Sequence, residues 1–432
     1  MQTVQLKEHQ KTEVSCCGLV GLEKYLERNK LSAALKVTAN AVKAKNYVGV
    51  IKYKNTQFEI LPKLISEYEE EDKLSQEERV EQNQTILKNL VFMLSYTKNL
   101  DIKSTSSAKL AKTQNPFLEV LIREYAESLF DCLKRLTPKN YIREEDNLNY
   151  LKGKLKFTEN IRYNCANQAK FYCEYDEFSE DCVLNQLFNF VSICLHSISK
   201  DSNNKKLLKF IMNYYQDIKL VRFDKFKCKK IRLNRNQQLF KKPFELAKMF
   251  IEQSSVDLSK NKFENIALLW DMNKLFEEFL YQIIKKHISV DSVDAKVKKF
   301  LLKTPSCSHK RHTEIDILVD KKLIIDAKYK KIETFDNVAN ADMFQVSTYC
   351  LLNGLNEAIL LYPLFGTERP KDIENEYRLN TLDKYDDCNY KLRIEFIDLK
   401  YNDLKKDLDS RDNSKIIARL EEILKVTKKE EN

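Results

Sequence analysis

The chain has 432 residues, which is enough for two or three domains. Hydrophobic residues make up 43% and charged residues 32% of it, a balance that supports ordinary folded cores and excludes a disordered chain. The first ten residues lack the apolar core of a secretory signal, and the uncharged stretch 182–199 keeps a polar face, so we expect no membrane span. Eleven cysteines without a CxxC pair indicate reduced thiols and hence a cytoplasmic protein.

The amino-terminal part is predicted to contain a short helix and a β-hairpin. Residues 21–31 show helical spacing of their apolar side chains. The stretch YVGVIKYKNTQFEILPK, residues 47–63, alternates on both sides of a turn at Asn55. Residues 65–84 are polar and acidic, as in an exposed loop or linker. We therefore expect a small β-containing domain over residues 1–80.

The middle of the chain, residues 81–255, is predicted to be mainly helical. Apolar residues that recur three and four positions apart indicate several helices, and one alternating stretch indicates a strand. The helices are predicted at 86–94, 117–136, 182–199 and 207–215, and the strand at 150–158.

A basic stretch follows, in which residues 200–248 hold 15 Lys or Arg against 4 Asp or Glu, within a chain of net charge +10. Together with interleaved aromatic residues, such a stretch fits contact with a phosphate backbone. Contact with a protein partner, or a solvated lysine-rich surface, remains an alternative. The aromatic residues are Tyr214, Tyr215, Phe223 and Phe226.

The carboxyl-terminal part, residues 256–432, is predicted to be a mixed α/β domain, because helices and strands alternate there around a short sheet. The whole chain is thus expected to be an α+β multidomain protein. The predicted strands are 315–319, 323–327, 358–362 and 392–397, and the predicted helices are 263–286, 341–352 and 414–426.

Three charged residues of this part form a candidate active site. Asp316 begins one predicted strand and Asp326 ends the next, so the two carboxyl groups should lie close together across a hairpin. Lys328 follows two positions later and shares the face of Asp326. Two carboxylates and one backbone carbonyl suffice for Mg²⁺, which acidifies water and polarises a phosphodiester, while a lysine offsets the charge that builds on phosphorus.

Two further features indicate that this hairpin has a functional role. Asp326 closes the strongly apolar run Leu323-Ile324-Ile325, a place where solvated charges are rare. Gln345 and Tyr349 lie four positions apart on the following predicted helix and therefore share one face.

The remaining motifs give weaker evidence about function. His309 and His312 precede Asp316 and could bind metal, although an exposed loop near phosphate is the simpler interpretation. None of the six glycines belongs to GxxxxGK[ST] or GxGxxG, so we expect that this chain binds no nucleotide and that any nucleotide-driven motor is a separate polypeptide.

The pattern ID…DAK…QxxxY resembles the PD-(D/E)xK nuclease superfamily in its branch with a trailing QxxxY helix. More narrowly, the chain is similar to the McrC family, the nuclease subunits of McrBC-type restriction systems. DMNKLFEEF at 271–279, FYCEYDEFSEDCVLNQL at 171–187 and the hairpin at 47–63 resemble further segments of that family in the same order. Ile315 departs from the pattern, since it stands where the superfamily name has proline.

The resemblance implies a role for each site residue. Asp316 and Asp326 would bind the metal, and Lys328 would be the catalytic lysine. Glu277 would complete the metal shell or hold a metal-bound water, with its neighbour Glu278 as the weaker choice. Gln345 and Tyr349 would position DNA or brace the active-site strand.

The resemblance also implies a function: a Mg²⁺-dependent DNA endonuclease subunit of a GTP-dependent, modification-dependent restriction system that defends against foreign DNA, with Mn²⁺ as an alternative metal. Its partners would be DNA and a separate McrB-like AAA+ GTPase, which it would stimulate and bind through its amino-terminal half. Two alternatives remain: a non-catalytic activating or scaffold subunit of the motor ring, and a stand-alone PD-(D/E)xK repair nuclease.

Overall fold

The contacts within this chain divide it into two units. The first contains Met1–Val50, Asn55–Lys112 and Leu269–Asn432, and the second contains Ile51–Lys54 and Thr113–Leu268. The boundaries predicted at residues 80 and 255 differ from these, and the three-domain division stays a prediction. The computed structural model describes residues 2–14, 19, 21–28, 31–38, 40–53, 56–62, 89–94, 96–97, 116–252, 254–257, 262–303, 310–365, 368–378, 390–399, 407–408 and 414–425.

The amino-terminal elements confirm the predicted helix and hairpin strands. Strand β6 pairs with β5 and also runs parallel to β1, so its six residues are all buried. Strands β2, β4 and β3 form a small antiparallel sheet. The turn predicted at Asn55 and the linker at 65–84 lie outside the described residues. The elements are β1 Gln2–Lys7, β2 Lys11–Glu13, α1 Leu22–Arg28, β3 Leu35–Val37, β4 Ala41–Ala44, β5 Tyr47–Tyr53 and β6 Thr56–Leu61.

The second unit contains a packed group of helices and a three-stranded sheet. Helix α4 packs against α5 and α7, and α2 packs against the same two helices. The elements are α2 Pro116–Leu133, β7 Asn140–Leu148, β8 Lys154–Leu155, α3 Phe157–Asn164, β9 Phe171–Ser179, α4 Val183–Ile198, α5 Ser202–Tyr214, α6 Lys225–Lys230, a 3-10 helix Arg235–Phe240, α7 Lys241–Glu252, β10 Ser254–Asp257 and β11 Lys262–Asp271.

The middle region, which was predicted to be mainly helical, also contains the sheet β7-β9-β8, most of which was not predicted. Most residues of β7 and many of β9 are exposed, so these strands lack the apolar alternation that marks a strand with one buried face. The strand predicted at 150–158 was also wrong in extent, because only Lys154–Leu155 pairs and α3 begins at Phe157. Gly153, at φ +69°, turns the chain there, and a Cβ atom on it would lie 2.5 Å from the backbone oxygen of Glu174.

The helix predicted over 263–286 was wrong in its first part, since Lys262–Asp271 forms β11. The helix begins only at Met272, where the Asp271 side chain accepts a hydrogen bond from the backbone N–H of Asn273. Asp271 is therefore an N-cap, a signal for a helix start that the apolar spacing of residues 263–270 concealed.

The carboxyl-terminal elements form one sheet with helices packed on it. Among the described residues, six strands follow the order β12-β13-β14-β15-β17-β16, with β14, β15 and β17 parallel and the other pairings antiparallel. The elements are α8 Met272–His287, β12 Val293–Lys303, β13 Lys310–Val319, β14 Leu323–Ala327, a 3-10 helix Phe335–Asn337, α9 Asn340–Asn353, β15 Glu357–Leu364, β16 Tyr377–Arg378, β17 Lys391–Asp398 and α10 Lys415–Leu424.

Helices cover this sheet and fix the place of the candidate site. Helix α8 packs against β12, β13 and β14, while α9 packs against β14 and β15. Because β14 and β15 are parallel and covered, they consist of nearly continuous buried apolar residues. The architecture is therefore mixed α/β with several sheets, which confirms the predicted combination of helices and strands, while the α+β multidomain arrangement stays a prediction. Within the described ranges, no helix has the length and apolarity needed to cross a lipid bilayer.

Candidate active site

The hairpin of β13 and β14 brings the two predicted carboxyl groups together. Ile317 pairs with Ile325, so the next position in this register sets Asp316 opposite Asp326. The backbone N–H of Ala327 donates to Asp316 Oδ2 at 3.2 Å. The side chains of Asp316 and Asp326 approach closely enough to share a hydrogen bond when one of them is protonated. The predicted juxtaposition is present.

Lys328 completes a charged cluster at the end of β14. Its Nζ lies 2.8 Å from Asp326 Oδ2, and its backbone N–H continues the sheet by donating to Leu361 O at 3.0 Å. Asp326 is fully buried, and its Oδ1 atom has no hydrogen-bond partner among the described residues. A buried carboxylate oxygen without a donor is costly unless a cation or proton approaches it.

The QxxxY pair, Gln345 and Tyr349, holds Lys328 through a chain of hydrogen bonds. Lys328 Nζ donates to Gln345 Oε1 at 3.0 Å, and Gln345 Nε2 donates to Tyr349 Oη at 2.5 Å. Tyr349 is itself 5% exposed and packs in the core of the sheet. A buried tyrosine thus orients the amide, and the amide orients the ammonium group, which is a bracing arrangement for the active-site strand.

The electrostatics of the cluster follow from burial of like charges. Burial, with the adjacent charges of Asp326 and Glu277, raises the pKa of Asp316 to about 8. Burial also raises the pKa of Asp326, against the opposing effect of Lys328. For Lys328, burial lowers the pKa, but the charges of Asp326 and Asp316 outweigh it and the net shift is upward. The lysine is therefore a permanent cation at neutral pH.

Glu277 lies on α8 beside this cluster. Burial raises the pKa of Glu277, the charge of Lys328 lowers it, and the charge of Asp326 raises it. Glu277 therefore interacts electrostatically with the cluster. Glu278 instead accepts a hydrogen bond from Gln282 at 2.9 Å. Among the described residues, no three His, Cys, Asp or Glu side chains are close enough to hold a metal ion alone. Glu277 as a third ligand stays a prediction.

A cavity of about 550 Å³ opens beside Lys328 and Glu277. Sequence reasoning missed most of its lining. Lys330 pairs with Asp342 at 2.5 Å, and the Tyr329 hydroxyl donates to the buried Glu8 at 3.2 Å. Asp342 could have been found, since it shares the α9 face of Gln345 and Tyr349, whereas Glu8 is more than 300 residues away in sequence. The other lining residues are His9, Asn46, Asn273, Ala327, Lys331 and Phe365.

The remaining candidate residues lie elsewhere. His309 is outside the described residues. His312 is exposed on β13, where its ring lies 4.5 Å from that of Phe300. In the basic stretch, Tyr215 and Phe223 are buried in the core of the second unit, so they are not interleaved contacts as predicted. Only Tyr214 and Phe226 of those aromatics are exposed, and contact of the stretch with DNA or a partner stays a prediction.

Comparison with known proteins gives the family. The model of the McrBC 5-methylcytosine restriction system component matches residues 42–363, well over half of the chain. The chain belongs to this McrBC family. That membership confirms the family resemblance predicted from the motifs. No curated protein sequence matches the chain.

Two solved McrBC structures share the fold. One is a refined half-complex from the tetradecameric assembly of Thermococcus gammatolerans McrB AAA+ hexamers with bound McrC, at 21% identity, with a TM-score of 0.70 over 98% of this chain and 100% of that chain. The other is the Thermococcus gammatolerans McrBC complex, at 23% identity, with a TM-score of 0.52 over 66% of this chain and 88% of that one. At these identities, the likeness establishes the fold.

The raised pKa of Asp316 predicts how stability of this McrBC-family chain depends on pH. Without divalent ions, the unfolded carboxyl ionises near its usual pKa of 3.8, whereas the folded one keeps its proton up to about 8. The free energy of unfolding should therefore fall as the pH rises through this window, by at most roughly 6 kcal/mol from this group.

Urea unfolding in EDTA at pH 5 and pH 8.5 measures this effect. Asp316→Asn should reduce the loss of stability between the two pH values, while Asp320→Asn, at the turn of the same hairpin, should leave it unchanged. Equal losses in wild type and Asp316→Asn would show that Asp316 ionises normally in the folded chain.

Proposed function

We propose that this chain is the Mg²⁺-dependent DNA endonuclease subunit of a McrBC-like, GTP-dependent restriction system, with a PD-(D/E)xK active site. The observation that carries the proposal is the buried cluster of Asp316, Asp326 and Lys328, in which Gln345 braces the lysine and Lys328 itself lines a cavity. Perturbed carboxyl groups that meet a lysine beside a cavity mark a candidate catalytic site.

The donor set fits a divalent cation. Asp316 and Asp326 would hold it, since the two adjacent carboxyl groups resist joint ionisation and one buried oxygen of Asp326 lacks a partner among the described residues. Magnesium needs only one or two carboxylates when substrate and water supply its other oxygens. When bound, it supplies a charge that polarises the phosphodiester and acidifies water.

The protein's own residues have separable tasks. Lys328, fixed by Asp326 and Gln345, presents its ammonium group to the cavity, where it offsets negative charge building on the attacked phosphate. Because its pKa is raised, it acts as a cation and not as a base. Lys330 and Lys331 line the same cavity, where each forms an ion pair, with Asp342 and Glu333 respectively.

We further propose an AAA+ GTPase partner. The chain itself has no P-loop motif, and the solved relative of the same fold is a McrB AAA+ hexamer assembly with bound McrC. Hydrolysis of GTP by the partner would drive translocation or assembly, and this chain would stimulate it.

Cleavage of methylated plasmid DNA tests the proposal. The chain with its partner, GTP and Mg²⁺ should cut, and EDTA should abolish cutting. The double variant Asp316→Asn/Asp326→Asn should lose at least about 10³-fold in rate. Asp320→Asn, the same chemical change at the other end of the hairpin, should cut like the wild type.

Other results decide between the alternatives. Cutting by the double variant at the wild-type rate would refute this active site. Cutting that needs neither partner nor GTP would favour a stand-alone nuclease. Partner GTP hydrolysis that persists in the double variant would show that stimulation is separate from catalysis.

A further inference from the structure

The strand pair β12–β13 extends well beyond the rest of its sheet. Strand β14 pairs with β13 only from Ile317 to Val319, whereas β12 pairs with β13 along its whole length, out to Lys303 opposite Lys310. Residues 298–303 and 310–314 therefore project as a two-stranded ribbon from the strand that carries Asp316. We call these residues the basic ribbon.

Both faces of the basic ribbon are open along Lys298–Leu301. Side chains alternate between faces along a strand, yet every described side chain from Lys298 to Leu301 is exposed. Phe300 and Leu301 keep 47% and 41% of their surface exposed although they are large and apolar. A strand that exposes both of its faces gains little from the core, so these exposed apolar side chains need another explanation.

The basic ribbon carries a strong excess of positive charge. It contains Lys298, Lys299, Lys303, Lys310 and Arg311 but a single acidic residue, Glu314. Glu314 forms an ion pair with Lys298, in which Lys298 Nζ lies 3.5 Å from Glu314 Oε2. Among the described residues, no carboxylate forms an ion pair with Lys299 or Arg311. The aromatic pair of Phe300 and His312 lies between these cations on facing strands.

The distance from the active site suits a long polyanion. Arg311 precedes Asp316 by five positions on one strand, which corresponds to about 17 Å. A DNA duplex carries a negative charge about every 1.7 Å along its axis, so a duplex cut at Asp316 has many phosphates within that span. A two-stranded β-ribbon also has the width that the major groove admits, about 12 Å.

We propose that the basic ribbon is a DNA-binding arm that holds the substrate duplex by its phosphates next to the cut. The inference rests on the proposed nuclease function and adds the surface that aligns the duplex with Asp316 and Lys328. Contacts to phosphates position DNA without reading its sequence, so the arm should bind methylated and unmethylated duplexes equally.

Fluorescence anisotropy with a 30-base-pair duplex tests the arm. The full chain is used in the Asp316→Asn/Asp326→Asn background and in EDTA, so that binding is measured without cleavage. Adding Lys299→Gln and Arg311→Gln should weaken binding about tenfold at low salt. It should also lower the slope of log affinity against log salt by about 1.8, because two phosphate contacts are lost.

The matched control is Lys321→Gln/Lys322→Gln, which removes two exposed lysines at the turn on the other end of β13. It should leave both affinity and salt slope unchanged. The proposal is overturned if the ribbon variant binds DNA like its parent, or if the control loses as much. Unchanged DNA affinity with weaker binding to the AAA+ partner would assign the ribbon to a protein interface instead. Failure of the wild type to cut DNA would refute the nuclease function but leave the binding result standing.

Discussion

Replacing Lys328 by methionine is expected to lower the single-turnover rate of DNA cleavage by about 10²–10³-fold at saturating Mg²⁺. Methionine keeps most of the side-chain volume but removes the ammonium group that lies 2.8 Å from Asp326 and 3.0 Å from Gln345. Because the cation acts on charge that develops during the reaction, the rate should fall while DNA affinity changes little.

The reference for this variant is Lys322→Met, the same substitution at the exposed turn of the hairpin, which should cut normally. Thermal unfolding of both variants checks that the fold persists.

Gln345→Leu should show a smaller loss of cleavage rate than Lys328→Met, since it leaves the Lys328 ammonium group in place but without its hydrogen bond to Gln345. If Gln345 works through Lys328, adding Gln345→Leu to Lys328→Met should cost little more. Additive losses would mean that Gln345 contacts DNA independently.

Much of this site could be predicted from sequence because its geometry is local. The run Leu323–Ile325 lies in a central strand whose faces are covered, so it stands out as a continuous apolar stretch, and strand alternation then places Lys328 beside Asp326. Helical spacing likewise placed Gln345 and Tyr349 on one face of α9. What remained open was the residue that this face contacts within the chain, which is Lys328.

The missed features depend on contacts between distant parts of the chain or on surfaces without a core. Glu8 reaches Tyr329 across most of the sequence, and no spacing rule could join them. The strands β7 and β9 pair over nine positions, yet β7 exposes most of its side chains and β9 buries only Cys173, so neither strand shows the apolar alternation that predicts a strand. For β11, nearly continuous apolar residues fit a strand or a helix equally, and only the N-cap at Asp271 separates the two.

The second large effect is expected for Asp326→Asn, which should weaken Mg²⁺ binding by at least about a hundredfold. Asp326 is fully buried opposite Asp316, and an amide removes one of two charges that would neutralise the ion. Two carboxyl groups that resist joint ionisation form a site in which the cation replaces a proton. Wild-type affinity should therefore rise with pH up to about 8, where Asp316 loses its proton.

Calorimetric titration of the wild type with Mg²⁺ at pH 6, 7 and 8.5 measures this competition, and proton release can be read from the dependence of the heat on buffer. In Asp326→Asn, Asp316 lacks its charged neighbour, so its pKa should fall towards the usual range and the pH dependence of the residual binding should shrink. Asp320→Asn supplies the control for a carboxyl-to-amide change in the same hairpin. If Asp326→Asn kept the Mg²⁺ affinity and the pH dependence of the wild type, the metal would bind elsewhere. The buried carboxyl pair would then need a structural explanation.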